Sequence, residues 1–295
     1  LMECLAGRRQ LGLTGKIMVN KFGINSKIKI AYNSQNETLL KTLTVKETLL
    51  FASKICNLEQ NNFDMNYFYD YNSNFQDNQP DEEFKGSKEV VEYMQLKKDG
   101  KIKSLHQLMV ENLMKNLGLD QCADVRIADC SGGQLRRVSI ALELITSPSI
   151  LLLDEPTSGL DSVSCLSCIS LLKNLSKQAR PLIIAASIHQ PTAKLLSYFD
   201  HLYMISYTGQ CIYNGSPADI IGYLSEVGLS CPVCSSSSDY IIEVASGDFG
   251  KEAINKLIIK NQHQNIEFFT NIHSDEDSIK FIDSIQNYKQ KHPFF

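Results

Sequence analysis

No stretch of this 295-residue chain approaches the roughly 18 consecutive apolar residues of a membrane span, and no secretory leader is legible. Any membrane segment is therefore expected beyond Phe295. The 29 Lys and Arg are outnumbered by 33 Asp and Glu, a net charge of −4, so the basic excess that nucleic acid attracts is missing. Long heptad runs are missing too, which counts against a coiled coil. Nine cysteines, an odd number scattered along the chain, do not make a disulfide framework and fit a reducing compartment. Cys165-x-x-Cys168 and Cys231-x-x-Cys234 have zinc-like spacing. The first pair, however, falls on a predicted helix and the second in a Pro/Ser-rich loop, and a structural zinc needs four converging ligands. What remains is a globular piece, 43% hydrophobic and 21% charged, large enough for one or two cores.

Three polar constellations stand beside apolar runs. The run Ile150 to Leu153 lies between Pro148 and Pro156 and has no polar alternation, as expected of a strand buried on both faces of a parallel sheet. It delivers Asp154 and Glu155 to the strand's carboxyl end, where open α/β sheets place their ligands. There Asp154 suits Mg²⁺, directly or through water, and Glu155 suits the activation of an attacking water. Taken alone, two acids after a strand are equally an ordinary loop start. Ser131-Gly132-Gly133-Gln134 leads into Leu135 to Ile145, where Leu135, Val138, Ala141, Leu142 and Ile145 recur at helical spacing. Small residues entering a helix present free N–H groups and the positive end of the dipole to an anion; the bland alternative is a helix capped by Ser131. Leu182 to Ala186 reads as a second buried strand running toward His189.

Together these residues resemble the nucleotide-binding domain of ABC transporters, and within it the G subfamily of white/scarlet-type half-transporters. Ser131 to Gln134 is similar to the ABC signature, Ile150 to Glu155 to Walker B, Ser158-Gly159-Leu160-Asp161 to the D-loop, and His189 to the switch histidine. Gln35, ahead of Leu43-Thr44-Val45-Lys46-Glu47-Thr48-Leu49, resembles the Q-loop glutamine. The subfamily markers are Leu43-Thr44-Val45, His189-Gln190-Pro191, Tyr213-Asn214-Gly215 and Tyr240 to Gly247. The resemblance covers most of the chain outside about residues 57 to 103 and the last few tens.

The resemblance implies a P-loop NTPase-like α/β fold, a mostly parallel sheet with an inserted helical subdomain, incomplete at its start. Residues 1–45 would belong to the catalytic core, 46–146 to the helical subdomain with a polar insertion at about 57–103, 147–215 to the core again, and 216–295 to an extension toward a membrane domain. ATP and Mg²⁺ are the implied cofactors, with Glu155, His189 and Gln35 catalytic and Asp154 and Gln35 on the metal. Ser131, Gly132, Gly133, Gln134, Asp154 and Asp161 would contact nucleotide, the signature acting in trans on a partner's nucleotide in a homo- or heterodimer. A membrane location with this domain on the cytoplasmic face follows, with export of a lipid, sterol or similar molecule and no nucleic-acid partner. Leu1 to Arg8 looks like the helix after a phosphate loop, so a G-x-x-x-x-G-K-[ST] segment and its strand are expected just before residue 1. Without them the sheet would have unpaired edges, and this segment alone would be inactive. The alternative is a degenerate half that only completes a partner's site; a soluble ABC protein acting on DNA or ribosomes is disfavoured by charge and by the missing heptads.

Elsewhere, Lys16 to Asn20 and Ile28 to Tyr32 read as strands, and Thr44 with Glu47 forms a capping box for a helix through Ile55. Asn57 to Phe84 is rich in Asn, Asp, Gln and Tyr without helical period, a solvated insertion or, through Phe63, Tyr67, Phe68, Tyr69 and Tyr71, a docking segment. A helix resumes near Ser104, with Leu105, Leu108, Met109, Leu113 and Leu117 on one face and Gly118 as its stop. Leu202 to Ser206 and Cys211 to Asn214 flank a turn and form a hairpin, Ser216-Pro217 opens a helix, and helices are expected after Gly250. The terminal Lys289 to Phe295 is basic then aromatic, either a membrane approach or a frayed polar end.

Overall fold

A computed structural model describes residues 1–8, 28–35, 38–57, 105–177, 182–232 and 236–272. The predicted strand Lys16–Asn20, nearly all of the 57–103 insertion, Cys234 and the terminal segment lie outside them. The chain divides into two compact units between His189 and Gln190.

The first unit is built on three parallel strands, β1 (Ile30–Asn33), β2 (Ile150–Leu153) and β3 (Ile183–Ala186), in that spatial order. Ile30 pairs with Ile150 and Asn33 with Leu153, while Leu153 pairs with Ala186. Because all three strands run one way and end in step, Ser34-Gln35, Asp154-Glu155 and Ser187-Ile188-His189 leave the sheet from one edge. β2 is buried on both faces, as its unbroken run of leucines predicts. Leu152 packs with Tyr32 and with Met2 of the short helix α1 (Met2–Leu5). Leu151 and Leu153 point the other way and are fully buried, each contributing about 1.5–3 kcal/mol of apolar burial. β3 departs from expectation: it starts one residue later than predicted, and Ile183 is 61% exposed. It is the outer strand of the described sheet and lacks a neighbour on one side. β1 also ends later than predicted, at Asn33. That polar residue is fully buried and tolerated because its amide donates to Ser139 Oγ at 2.5 Å.

Helices α2 (Val45–Cys56), α3 (Leu105–Asn116) and α4 (Gly132–Leu144) intervene between β1 and β2. The capping box of α2 is present: Thr44 N donates to Glu47 Oε2 at 2.9 Å and Glu47 N to Thr44 Oγ1 at 3.2 Å. Val45 and Leu49, one turn apart, are both fully buried. α3 buries Met109, Val110, Leu113 and Met114, with Leu117 just past its end. Gly118, at φ +60°, reverses the chain so that Leu119 N reaches Met114 O at 2.7 Å, a Schellman stop. α4 starts three residues earlier than the apolar periodicity alone predicts, because Ser131 and Gln134 form a second capping box. Its Val138, Ile140, Ala141 and Leu144 are buried. Between β2 and β3 runs α5 (Ser162–Ser176), capped by Asp161.

The Glu47 carboxylate is held below its ordinary value of 4.5, first by the Thr44 backbone N–H and then by the Thr44 side chain. A lowered carboxylate stabilises the fold fully above the unfolded value and loses that contribution as pH falls through the folded value. Urea midpoints of the wild type and Glu47→Gln, compared above and below pH 4.5, are expected to converge on the acid side. A difference that stays constant with pH would argue against a charged cap.

The second unit contains α6 (Ala193–Leu196), the antiparallel pair β4 (Leu202–Ile205) and β5 (Cys211–Gly215), then α7 (Ile220–Ser225), α8 (Ser237–Ser246) and α9 (Lys251–Ile272). The predicted hairpin closes through Ser206 N to Gln210 O at 2.9 Å, with Gly209 at φ +81°. Its core gathers Ile212, Tyr213, Tyr223, Leu224, Tyr240, Val244 and Leu257. One expectation fails: Pro217 does not begin a helix. Ser216 O accepts from Asp219 N at 3.1 Å, so Pro217 occupies the second position of a turn, where its fixed φ is equally favoured, and α7 follows it. Among the described residues no helix is long and apolar enough to cross a membrane.

Candidate functional site

Each strand end contributes one polar segment to the common edge. Asp154 follows β2 and is gripped at both oxygens: Ser187 Oγ donates to Oδ1 at 2.6 Å and Tyr32 OH to Oδ2 at 3.1 Å. Tyr32 is pushed up to about 12, first by burial and then by its bond to Asp154 and that residue's charge. It therefore remains a protonated donor throughout the neutral range. The Arg8 guanidinium lies 4.8 Å from the centre of the Tyr32 ring, a cation–π contact, and donates to Tyr32 O at 3.3 Å.

Glu155 adopts φ +45°, a left-handed conformation that costs a residue with a side chain about 1–3 kcal/mol. Three hydrogen bonds hold it there. Its N–H donates to Ser187 Oγ at 2.9 Å, and its carbonyl accepts from Arg136 Nη2 at 3.1 Å and from Ser158 N at 3.1 Å. The strained turn aims the carboxylate at the loop after β1, where Gln35 Nε2 donates to Glu155 Oε2 at 2.7 Å. The structure thus brings Gln35, Asp154 and Glu155 together.

His189 leaves β3 at the same edge and is exposed, and among the described residues no hydrogen bond joins it to Asp154 or Glu155. The Ser131–Gln134 segment is likewise not bonded to them. Gln134 Oε1 accepts from Ser131 N at 2.8 Å and Gln134 N donates to Ser131 Oγ at 3.3 Å, so both residues complete the cap of α4. A Cβ placed on Gly133 would lie 3.2 Å from Ser164 Cβ, and one on Gly132 3.7 Å from Leu160 Cδ2. A side chain at Gly133 would crowd Ser164 at the start of α5, whereas one at Gly132 would meet only ordinary van der Waals contact. Asp161 Oδ1 accepts from Val163 N and Ser164 N, each at 3.0 Å, and hydrogen bonds from Ser164 above all hold its carboxyl below the usual range.

Tyr32, Asn33 and Arg136 have no role in the sequence reading, and Ser187, which opens the polar run Ser187-Ile188-His189-Gln190, has none of its own there. Arg136 donates to Asn33 Oδ1, Ser34 O, Gln35 O and Glu155 O. The available signal was slight: polar residues closing two apolar strands, and an Arg-Arg pair two residues past Gln134. Ser187 answers both Asp154 and the Glu155 N–H, so Ser187→Ala leaves two groups short of a partner. We expect about 1–3 kcal/mol lower stability by urea denaturation; an unchanged midpoint would count against that role.

The donor set is hard oxygen, the Asp154 carboxylate and the Gln35 amide. Mg²⁺ takes one or two protein oxygens and completes its shell with water and phosphate, so these residues fit it. Among the described residues no group of three or more His, Cys, Asp or Glu forms a metal site.

A parallel sheet whose strand ends present adjacent acids, a glutamine and a serine is the α/β arrangement in which ligands bind beyond the carboxyl ends of the strands. The ABC transporter family matches residues 1–158, more than half of the chain, and the protein belongs to that family. It is 31% identical over 261 residues to "ABC transporter G family member 11" of Arabidopsis thaliana, covering 85% of this chain and 31% of that protein. It is 29% identical over 275 residues to the "Broad substrate specificity ATP-binding cassette transporter ABCG2" of Bos taurus, covering 90% and 35%. A third relative, "ABC transporter G family member 13" of Arabidopsis thaliana, is 27% identical over 97% of this chain and 37% of its own length. The chain spans about a third of the length of these relatives.

Proposed function

We propose that this chain is the ATP-binding and ATP-hydrolysing domain of a G-family transporter, powering export of a lipid, sterol or similar hydrophobic molecule. The observation that carries the reading is the 2.7 Å contact between Gln35 and Glu155 beside an Asp154 held at both oxygens. Glu155 accepts the proton of the water that attacks the terminal phosphoryl group, and Gln35 orients the Glu155 carboxylate. Asp154 and Gln35 would hold Mg²⁺, which would supply neutralisation of phosphate charge there. His189, leaving the same sheet edge, contacts the γ-phosphate. Ser131 and Gly133 act on the nucleotide of a second such domain in a homo- or heterodimer, and Gly132, Gln134 and Asp161 also contact nucleotide; the exposed start of α4 at Ser131 and Gly132 supports this. Helices α2 to α4 belong to a helical subdomain inserted between β1 and β2. The domain works on the cytoplasmic face, joined to a membrane domain.

Residues 1–295 contain no G-x-x-x-x-G-K-[ST] sequence, and this segment alone is expected not to bind ATP tightly. The test is phosphate release by the full-length protein in lipid vesicles, with and without sterols or phospholipids. Stimulation by such a molecule supports the reading, and an ATPase indifferent to all of them removes the substrate class.

A further inference from the structure

We propose that Arg136 is a positioning residue for hydrolysis, pinning the backbones of Gln35 and Glu155 from the helix that begins at the signature segment. The proposal rests on the reading of Glu155 as the base. Its guanidinium makes four hydrogen bonds: Nη1 to Asn33 Oδ1 at 3.1 Å and Ser34 O at 3.1 Å, and Nη2 to Gln35 O at 3.2 Å and Glu155 O at 3.1 Å. One side chain on α4 thus ties the segment after β1 to the segment after β2. Both segments carry a residue of the candidate site, and the two residues touch each other.

The need for such a tie is local. Glu155 is held at φ +45°, and its carbonyl, which also accepts from Ser158 N within its own loop, is tied to the segment after β1 through the guanidinium. Without the guanidinium, the Glu155 and Gln35 carbonyls lose a shared donor, and the turn relaxes toward the ordinary right-handed or extended regions, swinging the carboxylate away. A planar fork of five N–H groups reaches four acceptors on two segments, whereas a lysine nitrogen is a single point with three donors. The opposite end of the same loop is seated on the same helix, since Gly132 and Gly133 pack against Leu160 and Ser164. Helix α4 therefore holds the stretch from Glu155 to Ser164 at both ends, and a shift of its first turns is carried to the carboxylate.

The test uses the full-length protein with steady-state ATPase assays on Arg136→Ala and Arg136→Lys, beside Glu155→Gln. For Arg136→Ala we expect kcat to fall about 100-fold, the scale of an ångström-sized misplacement, while the KM for ATP moves less than about threefold. Guanidinium ion at low, non-denaturing concentration is expected to restore part of that kcat and leave the wild type unaffected. Arg136→Lys keeps the charge and the stem, so it should stay folded, melting below the wild type only by the acceptors it leaves unmet, while its kcat stays reduced. If Arg136→Ala does not fold, Arg136→Lys alone decides. Wild-type kcat per folded molecule in the Arg136 variants, or a defect lying wholly in KM, overturns the proposal while leaving Glu155 in place if Glu155→Gln is inactive. Wild-type turnover by Glu155→Gln removes the reading of the base itself, and this proposal with it.

Discussion

In the intact protein, Glu155→Gln is expected to abolish steady-state ATP turnover while leaving nucleotide-bound dimers intact. The substitution keeps the shape of the side chain, and its amide oxygen still accepts from Gln35 Nε2, now 2.7 Å from Glu155 Oε2. The backbone bonds to Ser187 and Arg136 do not depend on the carboxylate, so the strained turn should persist. Only basicity is lost. General-base catalysis is worth about 10²–10⁴-fold, and that is the expected drop in phosphate release. Gel filtration with ATP and Mg²⁺ should show the dimer accumulating, because closure no longer ends in hydrolysis. Normal turnover in this variant would take Glu155 out of the mechanism.

Asp154→Asn is expected to lower Mg²⁺-dependent turnover by about 100-fold or more, since a developing phosphate charge loses its metal anchor. The cause lies in the donors around it. Asp154 accepts a hydroxyl at each oxygen, Ser187 at 2.6 Å and Tyr32 at 3.1 Å. Asparagine has one oxygen and one NH₂, so one hydroxyl must rotate away or meet a donor. The variant also has a readout other than activity. Tyr32 is raised to about 12 by burial first and by Asp154 second, so removing the charge should lower it part of the way. A spectroscopic titration of wild type and Asp154→Asn, each against its Tyr32→Phe counterpart, isolates that phenol. A Tyr32 that titrates at the same pH in both would mean the Asp154 contact is not made in solution. A Mg²⁺ requirement and rate unchanged by Asp154→Asn would remove Asp154 from the metal.

Much of the local structure was legible because it depends on short-range chemistry. The capping box of Thr44 and Glu47, the glycine stop at Gly118 and the hairpin around Gly209 each satisfy backbone groups within a few residues. The leucines of β2 announced burial on both faces, and a parallel sheet with helical crossovers follows from that. The Pro217 helix start failed because proline suits the second position of a turn as well as the first turn of a helix, and the neighbouring Ser216 decided between them. The exposure of Ile183 is not legible in the sequence because burial depends on a strand's neighbours and not on its own composition.

From the order of its residues alone, the chain declared its family: a Ser-Gly-Gly-Gln helix start, a leucine strand ending in Asp154-Glu155, then His189. Those segments carry their meaning in covalent order, and the first two lie within residues 1–158, which match the ABC transporter family. Only the tertiary structure put Gln35 on Glu155 across 120 residues and Arg136 on both their backbones. Three parallel strands ending in step make those contacts, and their partners lie too far apart along the chain for any local pattern to record them.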